Sequence, residues 1–97
     1  MLGKKLATSS TIIGKWLGRV NGESVGMEFL DDGRLAYVVL SPDGKSQVMR
    51  MVYRVDGDVL VTDQPSHPRE ERSKFRFAGE ELVIAFGGAE SRFRRSN

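Results

Sequence analysis

Turn-forming residues punctuate this chain at short, regular intervals: Asn21-Gly22, Asp31-Asp32-Gly33, Pro42-Asp43-Gly44, Asp56-Gly57, Gly79-Glu80 and Gly87-Gly88-Ala89. Asn-Gly and Asp-Gly reach positive φ angles at little steric cost, which is what tight hairpin connections require. The runs between them are rich in β-branched and aromatic residues, and none carries a sustained helical period. The spacing predicts eight strands, at 12–20, 23–30, 34–41, 45–55, 58–63, 71–78, 81–87 and 90–95. Only 64–70, with Pro65, His67 and Pro68, reads as a longer loop. The fold class is all-β, an up-and-down antiparallel meander.

Registers follow from the loop lengths. A two-residue Asn21-Gly22 turn sets Trp16 against Met27 and Gly18 against Val25. A three-residue Asp31-Asp32-Gly33 loop sets Phe29 against Leu35 and Met27 against Tyr37. The same length at Pro42-Asp43-Gly44 pairs Tyr37 with Met49 and Leu35 with Met51. Read as three residues, Asp56-Gly57-Asp58 places Tyr53 opposite Val61; the last two turns bring Phe77 to Leu82, Phe75 to Ile84 and Ile84 to Phe93.

Strand side chains alternate faces. One face thereby gathers Trp16, Val25, Met27, Phe29, Leu35, Tyr37, Val39, Met49, Met51, Tyr53, Val55, Val59, Val61, Phe75, Phe77, Leu82, Ile84, Phe86 and Phe93, which include all eight aromatic residues. The other face carries Lys15, Arg19, Glu28, Arg34, Arg50, Arg54, Lys74, Arg76, Arg92 and Arg94. A sheet this long with one apolar face closes on itself or folds over. A small barrel of about eight short strands is the expected architecture, one domain over 1–97 with an N-terminal segment at 1–11 and the barrel at 12–95.

The first strand contains Gly14-Lys15-Trp16, and the last ends in Arg94-Arg95. With the meander, these residues resemble the lipocalin and calycin pattern, in which a first-strand Trp packs at the closed end beneath an Arg from the last strand. Arg95 shares parity with Trp16 and is the better match, with Arg94 the alternative. The stretch from Ile12 to Arg95 resembles more closely the small bacterial lipocalin-like domains, mostly of unassigned function. Ile13-Gly14-Lys15-Trp16, Met27-Glu28-Phe29-Leu30-Asp31-Asp32-Gly33, Tyr53-Arg54-Val55-Asp56-Gly57-Asp58 and Phe77-Ala78-Gly79-Glu80-Glu81-Leu82 carry that resemblance. It implies a small lipocalin-like barrel.

Composition narrows the chemistry. There is no cysteine and a single histidine, His67, so thiol catalysis, disulfides and zinc sites built on cysteine are excluded. His67 lies between Ser66 and Pro68, and neighbours in a loop do not make a Ser–His–acid set, so an exposed, non-catalytic histidine is the reading. None of the glycines opens a helix that would hold a phosphate, and no cofactor is implied. A net charge of +2 from fifteen cations and thirteen anions leaves no single-sign field, and every aromatic is used inside. No nucleic-acid partner is expected. The start has Lys4 and Lys5 but no apolar run before Thr8-Ser9-Ser10-Thr11, and the longest apolar run, Leu35 to Leu40, is too short to span a membrane. A cytoplasmic protein with no membrane span is expected.

Two functional readings remain. In the first, the barrel interior holds a small hydrophobic or amphipathic ligand. The candidate contacts are Trp16, Met27, Tyr37, Gln47, Met49, Met51, Tyr53, Phe75, Phe77, Phe86 and Arg95. Tyr37, Tyr53, Gln47, Ser73 and Ser91 share the inner parity and would anchor polar groups, while the methionines would form an adaptable wall. Against it stands a filled core, because an eight-stranded barrel is just wide enough for its own side chains. In the second reading the chain is an oligomeric protein–protein interaction module with a filled core and no ligand. Its interface is the apolar outer stripe of Ala36, Val38, Leu40, Val48 and Val52, with an ordinary exposed sheet as the plain alternative. Such a stripe needs a cover, supplied by the N-terminal segment with Met1, Leu2 and Leu6 or by a two-fold partner in a homodimer.

Overall fold

The structure, a computed structural model, describes residues 12–66 and 68–96. His67 and the N-terminal segment proposed as a cover for the outer stripe lie outside the described residues. Eight strands follow one another: β1 (Gly14–Val20), β2 (Glu23–Phe29), β3 (Arg34–Leu40), β4 (Ser46–Asp56), β5 (Val59–Asp63), β6 (Glu71–Ala78), β7 (Glu81–Phe86) and β8 (Ala89–Arg95). Each pairs antiparallel with the next, and β8 returns to β1, so the barrel closes within one chain.

The turns are built by the residues that announced them. Asn21 and Gly22 both have positive φ, 53° and 81°, as a tight two-residue hairpin of the I′ type needs. The Asp31-Asp32-Gly33 and Pro42-Asp43-Gly44 loops share one construction. In each, the residue before the loop donates its N–H to the residue after it, Leu30 to Arg34 at 2.9 Å and Ser41 to Lys45 at 2.8 Å. In each, the middle aspartate accepts the N–H two residues on, Arg34 at 3.1 Å and Lys45 at 3.1 Å. The glycine in third place takes the left-handed conformation that completes the loop.

Two registers differ from the sequence reading. Tyr53 pairs with Thr62 and Arg54 with Val61, because Gly57-Asp58 is a two-residue turn closed by Asp56 and Val59. Leu60 therefore points into the barrel, and Val59 and Val61, expected inside, point out. At the last turn Gly87-Gly88 likewise takes two residues, so Leu82 rather than Ile84 faces Phe93, and Ile84 faces Ser91. That second slip is by two positions and leaves every side chain on its expected face.

The core consists of Ile12, Trp16, Val25, Met27, Phe29, Leu35, Leu60, Phe75, Leu82, Ile84 and Phe93, with Tyr37, Tyr53, Phe77 and Phe86 packed against it. All the aromatic residues thus gather inside. Closure rests on a short seam, Trp16 with Arg95, Leu17 with Arg94 and Gly18 with Phe93. Gly18 is there for space: a β-carbon on it would fall 2.6 Å from Phe93 Cδ2 and closer still to the Arg92 carbonyl oxygen.

Candidate functional site

The up-and-down topology puts the turns at 30–33, 57–58 and 79–80 at one end of the barrel, with Ile12 and Trp16. This end is plugged. Trp16 donates its indole N–H to the Ile12 carbonyl at 2.9 Å. The Arg95 guanidinium lies 4.3 Å above the indole and donates to the Ile13 carbonyl at 2.8 Å. Phe77 packs 6.2 Å from Trp16 and 5.8 Å from Phe75. Tyr53 closes the same end from β4, its ring edge-on to Phe29 at 4.9 Å and its hydroxyl donating to the Leu30 carbonyl at 2.7 Å. A depression outside the plug is lined by Trp16, Phe77, Gly79, Glu80, Glu81, Arg94 and Arg95, but Glu81 already binds Arg94 and Arg95 already covers Trp16.

The opposite end is ringed by the turns at 21–22, 41–45 and 87–88 and by the loop at 64–70, and it holds a cavity of about 370 Å³. Its apolar wall is Met27, Leu35, Met49, Met51, Leu60 and Phe86, and its polar rim is Tyr37, Thr62, Gln64, Arg69 and Glu71. Register explains the wall. Met27, Tyr37 and Met49 lie side by side across β2, β3 and β4, with Leu35 and Met51 in the next inward row. The loop is folded back over the rim by Asp63, whose carboxylate accepts the Gln64 N–H at 2.8 Å and the Arg69 N–H at 2.7 Å.

Tyr37 lines this cavity from the middle of β3, between Met27 and Met49. Its hydroxyl makes no hydrogen bond with the described residues, and burial, with the nearby Glu23 charge second, raises its pKa above the usual tyrosine value. It therefore stays a neutral donor. Tyr53, whose pKa is also raised, by burial first and then by Asp31 and Asp32, has its hydroxyl committed to Leu30.

Of the ligand contacts expected from the sequence, Met27, Tyr37, Met49, Met51 and Phe86 line this cavity. Trp16, Tyr53, Phe77 and Arg95 belong to the closed end, Phe75 is buried beside Phe77, and Gln47 is exposed at the start of β4. Leu60 and Thr62 were missed through the β4–β5 register, and Gln64, Arg69 and Glu71 because loop geometry has no periodic signal.

The outer wall carries ion pairs around β5–β8 and mixes charged with exposed apolar side chains on β1–β4. Around β5–β8, Arg54 and Arg72 meet Glu70, Arg76 meets Glu90, and Arg92 and Arg94 meet Glu81. Each of these cations faces a carboxylate. On β1–β4 the large exposed hydrophobics are Leu17, Leu40, Val48 and Val52, with Ala36 and Val38 half-buried among them. Among the described residues no group of His, Cys, Asp and Glu could hold a metal ion, and no helix is long and apolar enough to cross a membrane.

No family model matches the chain, and no curated protein matches it in sequence. Its fold has clear counterparts. It is similar to a lipocalin-like protein from Bacteroides uniformis ATCC 8492, with a TM-score of 0.67 and 18% identity over 88% of this chain and 98% of that one. It is also similar to an uncharacterized protein from Bacteroides eggerthii DSM 20697, with a TM-score of 0.64 and 12% identity over 87% of this chain and 98% of that one. Eight strands closing in sequence order, a plugged end built on Trp16 and Arg95, and these two likenesses agree: the chain is a small lipocalin-like β-barrel.

Proposed function

We propose that the protein binds a small hydrophobic or amphipathic molecule, without catalysis, in the cavity at the open end of its barrel. The observation that carries this is one half-buried tyrosine hydroxyl, unsatisfied by the described residues, set in a wall of methionine, leucine and phenylalanine. A space of about 370 Å³ with an apolar wall and few polar groups has the character of a small-molecule pocket. Met27, Met49 and Met51 make the wall adaptable, because an unbranched thioether fills irregular gaps in several rotamers. The ligand would place its apolar body against them and a hydrogen-bond acceptor at Tyr37, its other polar end near Gln64, Arg69 or Glu71.

The test is a fluorescence titration with 1-anilinonaphthalene-8-sulfonate, with native mass spectrometry of protein purified from its host to look for a retained molecule. A saturable, one-to-one titration is expected. Met51→Lys, which puts a charge on the apolar wall, should weaken it about tenfold or more, because an unpaired buried charge is costly. A wild-type protein that shows no saturable binding and carries no molecule overturns the proposal.

A second reading concerns association. Among the described residues the large exposed hydrophobics all lie on the β1–β4 side, which favours a second copy of this chain seated there over an ordinary solvated wall.

A further inference from the structure

The longest strand of the barrel is hydrogen-bonded on one side to the shortest. β4 runs for 11 residues and β5 for 5, and their pairing begins only at Val52 with Asp63. Among the described residues, β4 from Ser46 to Met51 is held by β3 alone. In an antiparallel strand the backbone groups of successive residues point to opposite sides. Tyr53 donates its N–H to Gly33, and Lys45 accepts from Ser41, so the odd-numbered residues of β4 face β3. The N–H and C=O of Ser46, Val48 and Arg50 therefore face away from it, and none has a partner among the described residues. Val48, in the middle of this run, is the most exposed large hydrophobic described.

We propose that this edge is where a second copy of the chain docks, by antiparallel pairing of β4 with β4 about a two-fold axis through Val48. The proposal rests on the association reading above and gives it a geometry. An edge of this kind is a template for strand addition. It is self-complementary: Val48 meets the partner's Val48, and Ser46 meets the partner's Arg50. No like charges fall opposite one another, and all three residues on each strand exchange both backbone groups. The outward row Leu17, Gly26, Val38 and Val48 then continues into the partner's row, so the most exposed valine packs against its own copy. On the inner side the partner's Gln47 comes beside Met49, at the rim of the cavity. An exposed residue of the single barrel is thereby brought to the ligand's doorway.

The pairing is tested first by light scattering on the wild-type protein across a concentration series, with a dimer expected. Val48→Pro removes an N–H that serves no bond within the barrel, so the variant should fold, with its Trp16 fluorescence and melting temperature close to wild type, and be monomeric. Val48→Thr keeps both the N–H and the β-branched shape and should remain dimeric. The chain has no cysteine, so Val48→Cys offers one thiol per copy. Paired strands hold such positions about 5.5 Å apart at Cα, within disulfide reach, and mild oxidation should cross-link the variant.

A wild-type monomer overturns both the pairing and the association reading. A dimer that survives Val48→Pro but is lost in Leu17→Lys overturns the pairing alone and leaves a face-to-face contact. Equal loss in Val48→Pro and Val48→Thr also overturns it, since side-chain burial would then suffice. If Val48→Pro does not fold, failure of Val48→Cys to cross-link overturns it.

Discussion

Two valines of this barrel point outward from one closed sheet, on strands three apart, and meet opposite fates. Val83 on β7 stands between Arg76 and Arg92 and is 1% exposed; Val48 on β4 stands beside Val38, with no strand beyond it among the described residues, and is 54% exposed. Val61 on β5 repeats the first case, between Arg54 and Arg72 at 2%. The arginines that flank Val61 and Val83 extend to Glu70, Glu81 and Glu90. Long side chains on both neighbouring strands account for the valines' burial, because an arginine stem covers apolar surface while its charged head stays wet. An outward position in a barrel is thus no statement about burial. Long paired cations flank the buried outward valines of β5 and β7, whereas Val48 has Val38 beside it on β3, and that difference leaves a surface for something else.

The two halves meet at the β1–β8 seam, and breaking it should give the largest effect. Trp16→Ala removes the side chain that fills the closed end and the platform under Arg95. A loss of about 3–5 kcal/mol is expected by urea denaturation, and a loss under about 1 kcal/mol would show that the plug does not hold the halves together. Gly18→Ala at the same seam presses on Phe93 and the Arg92 backbone, and overpacking of this kind costs about 1–3 kcal/mol.

The comparison itself is sharpened by one substitution made twice. Val83→Ala and Val48→Ala delete the same two methyl groups from outward positions. If the arginine cover is a true packing layer, Val83→Ala behaves as a core truncation and costs roughly 1–2.5 kcal/mol. Val48→Ala, measured in dilute protein, should stay within about 0.5 kcal/mol of wild type. Equal losses would remove the distinction between the halves.

Most of this wall was legible because strand parity propagates: one correct turn sets two strands, and each further turn tests the last. Asn21-Gly22, Asp31-Asp32-Gly33 and Pro42-Asp43-Gly44 place Met27, Tyr37, Met49 and Met51 on one inner surface by loop length alone. The failure at Asp56-Gly57-Asp58 has a physical signature that the sequence also holds. In the three-residue loops glycine comes last, where the left-handed residue belongs; at Gly57-Asp58, Gly79-Glu80 and Gly87-Gly88 glycine comes first, and the loop has two residues. Reading glycine's place would have turned Leu60 and Thr62 inward and Val61 outward. The loop at 64–70 had no such signal. Gln64 and Arg69 reach the cavity because the Asp63 carboxylate gathers two N–H groups, a contact between residues whose spacing follows no period. The unpaired β4 edge was likewise hidden, since it depends on the difference in length between two neighbouring strands.

The smallest effect falls on the charges that cover Val83. Glu81 holds Arg92 at 3.0 Å and Arg94 at 3.4 Å, and the Arg92 hydrogen bond, then that of Arg94, outweighs desolvation to lower its pKa below the ordinary 4.5. In the folded state this carboxyl gives up its proton more readily than in the unfolded chain, so in acid the folded state binds fewer protons. The stability it lends is therefore complete above about pH 4.5 and is lost as the pH falls through the lower folded value. Asp32, on the other half, is lowered too, first by the Arg34 N–H and then by its side chain. That contact spans two residues of one turn, whereas Glu81 ties β7 to β8, so its loss uncovers Val83. Glu81→Gln should flatten the acid limb of the stability curve more than Asp32→Asn does, and salt should weaken the wild type toward the Glu81 variant. If Glu81→Gln and Asp32→Asn change the acid limb equally, the charged layer over Val83 is ornament to the packing, and the two halves of the wall differ only in which residues happen to stand beside a valine.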